Sequence, residues 1–207
     1  MVELAPSPPL PRSAFHGLLR PGRHGRADGA AGVVVRERTG VAIASLTARK
    51  GQSELLGSAV KARLGLTLPR DPVRMKFGAL AASWAGPDQW TVLAEGDTAA
   101  GLLQELGRAA DGLAAMAEVG HGRGILEVSG PRARDALAKG IAIDLDPRAF
   151  PPGRTALTMA SLIDVQITAL DDRPAYELML FRGFAGSFWH WLEASALEFG
   201  LEVSGSP

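Results

Sequence analysis

The sequence predicts an α+β protein in which two tandem halves, each with the succession β-α-β-β-α-β, pack as one compact body. Three observations support this prediction. Short runs alternate between apolar and polar residues, as strands do, and longer segments between them repeat their apolar residues at helical spacing. The succession occurs twice, over residues 33–120 and 121–203. A succession of this kind is typical of a split βαβ unit.

The composition excludes several functional classes. A chain of 207 residues buries roughly 70% of its unfolded surface, so its core needs no crosslinks. The chain contains no cysteine, which excludes disulfides, thiol catalysis and cysteine-ligated metals. Basic and acidic residues number 22 each, so no net charge attracts nucleic acid or a membrane. These features predict a cytoplasmic protein with neither kind of partner.

The first 32 residues are predicted to form an extended arm. They hold five prolines, five glycines and four arginines but few large apolar side chains, too few to offset the entropy lost on ordering. Phe15, Leu18 and Leu19 are the expected anchors if the arm lies across the body. The first ten positions lack the basic start of a signal peptide. No apolar run approaches the roughly 18 residues of a membrane span.

The first half begins at about Val33 and contains two predicted helices. Gly51 breaks the strand before the first helix, and Gly65 ends that helix. Asp97 is the expected cap of the second helix, whose small and leucine side chains share one face. Gly86-Pro87-Asp88 has the composition of a turn. The predicted strands are residues 41–46, 73–84, 89–94 and 113–119, and the predicted helices are residues 53–64 and 97–110.

The second half opens with a strand, turn and helix over residues 122–140. Ser129-Gly130-Pro131 stops the strand after residues 123–128. Proline suits the first position of a helix, and Ser129 or Gly130 is placed to cap it. The remaining predictions are a helix at 131–139, strands at 155–161, 164–170 and 175–181, a helix at 184–199, a strand at 201–203 and a tail at 204–207.

The aromatic residues of the last predicted helix separate a core face from its margin. At about 100° per residue, the core face collects Phe184, Phe188, Trp191, Leu192, Ser195 and Phe199. Trp189 lies at the margin, where a tryptophan either covers the edge of the core or enters a partner interface. Trp84 and Trp90, on either side of the Gly-Pro-Asp turn, allow the same two interpretations. Trp84, Trp90 and Trp189 are therefore candidate interface residues.

Sequence motifs assign no catalytic residue, cofactor-binding residue or metal ligand. The patterns G-x-G-x-x-G, P-loop and G-x-S-x-G are absent, and the four histidines have no metal-ligand spacing. The glycine-rich turn around His121 precedes a strand, which favours a tight link over a phosphate cradle. The Ser-Gly-Pro turn is better placed for an anion, because free N–H groups and the helix dipole would favour negative charge. Gly130, Arg132 and Arg134 form this candidate anion site.

Three segments carry a resemblance to a known family. LEVSGPRARDALAKG, residues 126–140, resembles the LxxSGPxARxxLxK segment of the folate-binding aminomethyltransferase superfamily, which includes the glycine-cleavage T-protein. WAGPDQW at residues 84–90 and GFAGSFWHWLEASALEFG at residues 183–200 make the chain similar, more narrowly, to the gamma subunits of heterotetrameric sarcosine oxidases. The order and spacing of the segments carry this resemblance, which covers about residues 35–203.

The resemblance implies a folate-binding aminomethyltransferase fold and a non-catalytic role. Such a complex is an oxidoreductase that oxidises the N-methyl group of sarcosine, gives glycine and hydrogen peroxide, and passes the one-carbon unit to tetrahydrofolate. The other subunits, called alpha, beta and delta, are expected to carry FAD, FMN, NAD and the folate. This chain would then bind no cofactor alone and would pack against the large subunit.

The sequence departs from the superfamily at the folate site. The superfamily pattern Thr-Gly-Glu followed by Gly-Phe-Glu aligns here with Asp171-Asp172-Arg173 and Ala175-Tyr176-Glu177. A cationic Arg173 cannot accept the hydrogen bonds that a carboxylate would accept. Two other interpretations stay open. One is a free-standing folate-dependent aminomethyl- or methyl-transferase, and the other is a scaffold or repair factor of the same fold with other partners.

Overall fold

The computed structural model describes residues 12–96, 99–171 and 173–204, which form two β-sheets enclosed by two pairs of helices. The strands of the larger sheet are β1 Gly22–His24, β2 Val33–Glu37, β8 Arg123–Ser129, β9 Thr155–Ala160, β10 Ile163–Ala169, β11 Ala175–Phe181 and β12 Leu201–Val203. Those of the smaller sheet are β3 Val41–Ala48, β4 Arg74–Phe77, β5 Leu80–Gly86, β6 Gln89–Glu95 and β7 Ala114–Glu118. The helices are α1 Ser53–Leu64, α2 Ala99–Ala110, α3 Ala133–Ala138 and α4 Ala185–Ala196.

The α+β class is confirmed, and the chain has four layers. Helices α1 and α2 pack on the outer face of the five-stranded sheet, and α3 and α4 pack on the outer face of the seven-stranded sheet. The inner faces of the two sheets meet through a small apolar cluster that includes Ile43, Leu93, Ile125 and Met179. No helix within the described ranges is long and apolar enough to cross a membrane.

The strand orders show how the halves are related. The five-stranded order is β4-β5-β6-β3-β7, and the seven-stranded order is β1-β12-β2-β8-β11-β10-β9. Taken in reverse, from β9 to β1, the second order repeats the first. It differs in that β2 is inserted between β8 and β12 and β1 is added at the edge. Strand β2 pairs parallel with β12 and antiparallel with β8. The strand at the start of the predicted first half therefore lies in the sheet of the second half.

The predicted succession β-α-β-β-α-β needs a correction, because three strands separate the two helices of each half. Residues 73–84 are not one long strand but the hairpin of β4 and β5, which turns at Gly78 and Ala79. Gly78 has a φ of +57°, a conformation that glycine adopts at little cost. Phe77 and Leu80 flank the turn with apolar side chains, so the hydrophobic pattern does not mark it. Helix α1 is confirmed over residues 53–64.

The helix after the Ser-Gly-Pro turn is also shorter than predicted. It begins at Ala133, so Pro131 is not its first residue, and neither Ser129 nor Gly130 caps it. Arg132 takes the cap position without a side-chain cap hydrogen bond. Gly130 has a φ of 112° and lies against β2, where an added Cβ would be 2.6 Å from the Gly32 carbonyl oxygen. The turn thus fixes a close backbone contact.

Replacing Gly130 with alanine is expected to lower the free energy of unfolding by roughly 1–3 kcal/mol because of the strained φ, with a further loss from displacing β2. Denaturant unfolding of the free chain measures this change. Gly112→Ala is the matched control, since Gly112 also has a positive φ of +69° but nothing within 4 Å of the added Cβ. Equal losses in the two variants would show that the contact with Gly32 is unimportant.

The core face of α4 differs from the predicted face. Ala185, Phe188, Trp189 and Leu192 are buried, whereas Trp191 is half-buried and Phe184 is exposed. Phe184 belongs to a 3₁₀ turn that precedes α4, so it does not follow the helical period. The predicted core face included Phe184 and Trp191, and this placed its centre too far from Trp189. Trp191 instead packs against Gly140 and meets Phe188 edge to face at 5.5 Å.

The described part of the arm lies against the seven-stranded sheet. Phe15 is buried in the core, and Leu18 and Leu19 pack against it as partly buried residues. Strand β1, which the composition does not predict, pairs antiparallel with β12. The signal-peptide prediction, the Asp97 cap and the last three residues lie outside the described residues.

Candidate functional site

A buried cluster of charges lies between the two sheets and is the most unusual feature of the structure. Glu177 of β11 is 1% exposed, and its Oε1 lies 2.5 Å from Nη2 of Arg74 on β4. The Arg74 Nε also donates to Ser83 Oγ of β5 at 2.7 Å. A carboxylate and a guanidinium removed from water in this way need each other, because either one alone would be a costly unpaired charge.

Arg38 and Glu95 extend this cluster towards solvent. The Arg38 Nη1 forms an ion pair with Glu177 Oε2, without the geometry of a hydrogen bond, and its Nη2 donates to Glu95 Oε1. Burial, and secondly the charge of Arg38, lower the pKa of Arg74 to about 10, so Arg74 stays cationic at neutral pH. Both oxygens of Glu177 therefore face arginines. This carboxylate is not placed to act as a general base or to bind the donors of a ligand.

The sequence carries a local signal for only one residue of the charge cluster, Glu177. A glutamate inside the apolar run of residues 175–181 indicates a buried carboxylate, since Glu is almost never fully buried unless it is paired. Its partner Arg74 lies 103 residues away in the chain, and only the packing of the sheets brings them together. Sequence reasoning missed the whole cluster, Glu177 included, and no local pattern marks Arg74 or Arg38.

One open space between the sheets, which we call the intersheet cleft, has a volume of about 510 Å³. Its lining includes Gln166 of β10, Leu157 and Met159 of β9, Phe181 of β11 and Arg123 of β8. A second cleft, of about 640 Å³, lies near the beginnings of β3 and β8. Its lining residues include Arg38, Arg123, Arg182, His121 and Glu37.

The three candidate interface tryptophans do not form one surface. Trp84 and Trp90 are paired across β5 and β6 and line a third cleft, of about 530 Å³, beside α1. Trp90 is buried, and its Nε1 donates to the Pro69 carbonyl oxygen at 2.7 Å. Trp189 is buried in the opposite helical layer. Burial of Trp90 and Trp189 favours the first of the two interpretations, in which each covers the edge of a core. A role of these two residues or of half-buried Trp84 in a partner interface stays a prediction.

The candidate anion site has donors that are already used within the protein. The N–H of Gly130 donates to the Pro174 carbonyl oxygen, and the N–H of Arg132 donates to that of Gly32. The Arg132 side chain pairs with Asp135 at 2.9 Å and stacks on Phe199. Arg134 Nε lies 3.4 Å from the Tyr176 hydroxyl. These contacts give the turn a structural role. Anion binding at the turn stays a prediction.

The loop that aligns with the superfamily folate pattern is exposed. Arg173 pairs with Asp171 across the loop at 3.1 Å, and Asp172 lies outside the described residues. Among the residues that the structure describes, no group of three or more His, Cys, Asp or Glu side chains is arranged to hold a metal ion.

Comparison with known protein families gives one consistent result. The model of the family described as "Sarcosine oxidase, gamma subunit family" matches residues 51–198. The chain is 32% identical over 204 residues to a sarcosine oxidase subunit gamma of Arthrobacter sp., covering 95% of each chain. It is also 32% identical over 124 residues to a sarcosine oxidase subunit gamma of Corynebacterium sp. (strain P-1), covering 59% of each.

Solved structures agree with these sequence matches. A chain of the heterotetrameric sarcosine oxidase from Corynebacterium sp. U-96, in complex with pyrrole 2-carboxylate, is similar with a TM-score of 0.74 and 25% identity. That match covers 85% of this chain and 88% of the other. The glycine cleavage system aminomethyltransferase T from Bartonella henselae shares the fold, with a TM-score of 0.60, 17% identity, and coverage of 84% and 48%.

Proposed function

Because this chain belongs to the sarcosine oxidase gamma subunit family, we propose that it is a non-catalytic subunit of a heterotetrameric sarcosine oxidase. The complex would oxidise the N-methyl group of sarcosine, give glycine and hydrogen peroxide, and pass the one-carbon unit to tetrahydrofolate. The observation that carries this proposal is the match to a gamma subunit over 95% of both chains. The partners would be the alpha, beta and delta subunits.

The buried charge cluster supports the non-catalytic part of the proposal. A general base or nucleophile must reach the atom on which it acts, and Glu177 is enclosed by Arg74 and Arg38. As the resemblance implies, the other subunits would hold FAD, FMN, NAD and tetrahydrofolate. This chain would contribute a rigid body of the shared fold to the assembly.

The same cluster argues against a free-standing folate-dependent transferase. By the alignment above, Arg173 stands where the superfamily has the carboxylate that helps to hold folate, and Glu177 aligns with the glutamate of the following Gly-Phe-Glu. Glu177 is 1% exposed and both of its oxygens face guanidinium groups, so the donors of a folate cannot reach this carboxylate. The residues present therefore do not fit a folate bound in the superfamily manner.

The purified chain alone is expected to be colourless and inactive towards sarcosine. Gel filtration followed by an absorbance scan tests for a bound flavin, and a peroxide assay tests for activity. The control is the same chain co-expressed with the other three subunits of its host's complex, where we expect co-purification and peroxide formation. A flavin band that stays with the isolated chain would contradict the cofactor assignment, and failure to co-purify would contradict the proposed function itself.

A further inference from the structure

We infer that the rim of the intersheet cleft is the docking surface for a neighbouring subunit, which covers the apolar rim and supplies a carboxylate to Arg123. This inference rests on the proposed function and adds to it the surface and the chemistry of the contact. Two independent features of the cleft carry it: exposed apolar side chains on an edge strand, and a half-buried cation without an anion.

The first feature is the apolar rim. Leu157 and Met159 alternate on β9 with exposed fractions of 54% and 47%, and Phe181 of β11 is 47% exposed. Strand β9 is the last strand of its sheet, and isolated bridges join it to other segments only near its ends. Edge strands of free proteins usually carry charged residues or proline that prevent pairing with other chains. The middle of β9 has neither, which indicates that another chain covers it.

Between these apolar side chains, the amide of Gln166 forms part of the cleft wall and is only 4% exposed. Its Nε2 donates to the Trp84 carbonyl oxygen at 3.1 Å, which joins β10 to β5 across the two sheets. Its Oε1 is buried without a hydrogen-bond partner among the described residues, and no part of this atom is open to a donor from outside. Gln166 therefore shapes the wall of the cleft and is not a contact for the partner.

The second feature is Arg123, at the start of β8. Its guanidinium carbon lies 3.6 Å from the centroid of the Phe181 ring, and no carboxylate of the described residues forms an ion pair with it. Burial lowers the pKa of Arg123, which shows that its charge is partly removed from water. Asp164 also lines the cleft but is exposed and does not pair with Arg123. A carboxylate from outside the chain would complete the charge pairing.

The shape of the cleft favours a protein segment over a small molecule. Small-molecule sites usually enclose most of the ligand surface, whereas the apolar side chains here stand half-exposed around the mouth. An interface typically combines such an apolar patch with a few well-placed polar contacts. The occupant is therefore an apolar protein segment that carries one carboxylate, and under the proposed function it belongs to the large subunit.

Met159→Asp tests this surface in the assembled complex, because it places a charge on the rim at an exposed position that the isolated fold tolerates. The variant is co-expressed with the other three subunits, and the affinity for the large subunit is measured after purification. We expect binding at least tenfold weaker than wild type, and a similar loss for Arg123→Ala. Leu55→Asp, at a 60% exposed position on α1, is the matched control and should bind as wild type does.

Thermal melting of each free variant keeps the test interpretable, since all three variants should melt within a few degrees of wild type. Wild-type affinity in both Met159→Asp and Arg123→Ala would overturn the inference while leaving the proposed function intact. An equal loss in Leu55→Asp would also overturn it, because the effect would not be specific to the cleft. A wild-type chain that dimerises through this rim would assign the surface to a second copy instead. Failure of the wild-type chain to assemble would overturn the proposed function and this inference together.

Discussion

Replacing Trp189 with alanine is expected to lower the free energy of unfolding of the free chain by about 3–5 kcal/mol, the usual loss for a large aromatic side chain deleted from a core. Trp189 is 6% exposed and belongs to the apolar cluster between α3, α4 and the seven-stranded sheet. Its removal leaves a cavity that the surrounding strands cannot fill without moving. Denaturant unfolding, monitored by far-UV circular dichroism so that the signal does not depend on the deleted tryptophan, measures the loss.

Trp191→Ala is the matched control, since it deletes the same side chain two residues away from a half-buried position. We expect a smaller loss, because part of the Trp191 ring already faces water, although its contact with Phe188 is removed. A larger loss for Trp191→Ala than for Trp189→Ala would restore the helical face predicted from the sequence and would contradict the observed packing of α4.

Glu177→Gln is expected to destabilise the chain by about 3–5 kcal/mol, the range found when one member of a buried ion pair is removed. The substitution keeps the shape of the side chain but leaves the cations of Arg74 and Arg38 close together, with Arg74 buried. Equilibrium unfolding at neutral pH measures the change. A double variant, Arg74→Met with Glu177→Leu, should recover most of the loss, because two apolar side chains leave no unpaired charge.

Glu127→Gln is the control for this prediction. Glu127 is the register partner of Glu177 on the adjacent strand and pairs with Arg36 at 2.8 Å, but both side chains reach solvent. Exposed ion pairs contribute roughly 0–1 kcal/mol, so the expected loss is correspondingly small. If the two glutamine variants unfold at the same denaturant concentration, burial of the Glu177 pair is not what holds the sheets together.

The elements that the sequence predicts well are those whose signals are local. Helix α1 has a glycine before it and a glycine in the left-handed conformation after it, and its bounds agree with the prediction. The hairpin of β4 and β5 was missed because a turn of Gly78 and Ala79 between apolar neighbours resembles a continuous strand. The face of α4 was misplaced because Phe184 belongs to a turn with a different period.

The site depends on contacts that no local pattern encodes. The register of β10 and β11 places Gln166 opposite Met179, and alternation along the strands is enough to put both on one face. Which residues of the other sheet face them is decided by the packing of two layers. The pairing of Glu177 with Arg74 and the bond from Gln166 to the Trp84 carbonyl therefore emerge only in the assembled structure.

The insertion of β2 between β12 and β8 sets an order on how the chain folds during synthesis. The five-stranded sheet is complete once β7 has left the ribosome, so that unit can form first. Arg36 of β2 can pair with Glu127 only after β8, 91 residues later, has been made. The second edge of β2 is paired only when β12 has also been made. Contacts this distant in sequence slow folding. Until β8 is made, β2 is an unpaired strand whose alternate valines, Val33 and Val35, are available to chaperones or to a neighbouring nascent chain, and one of its edges stays open until β12 is made.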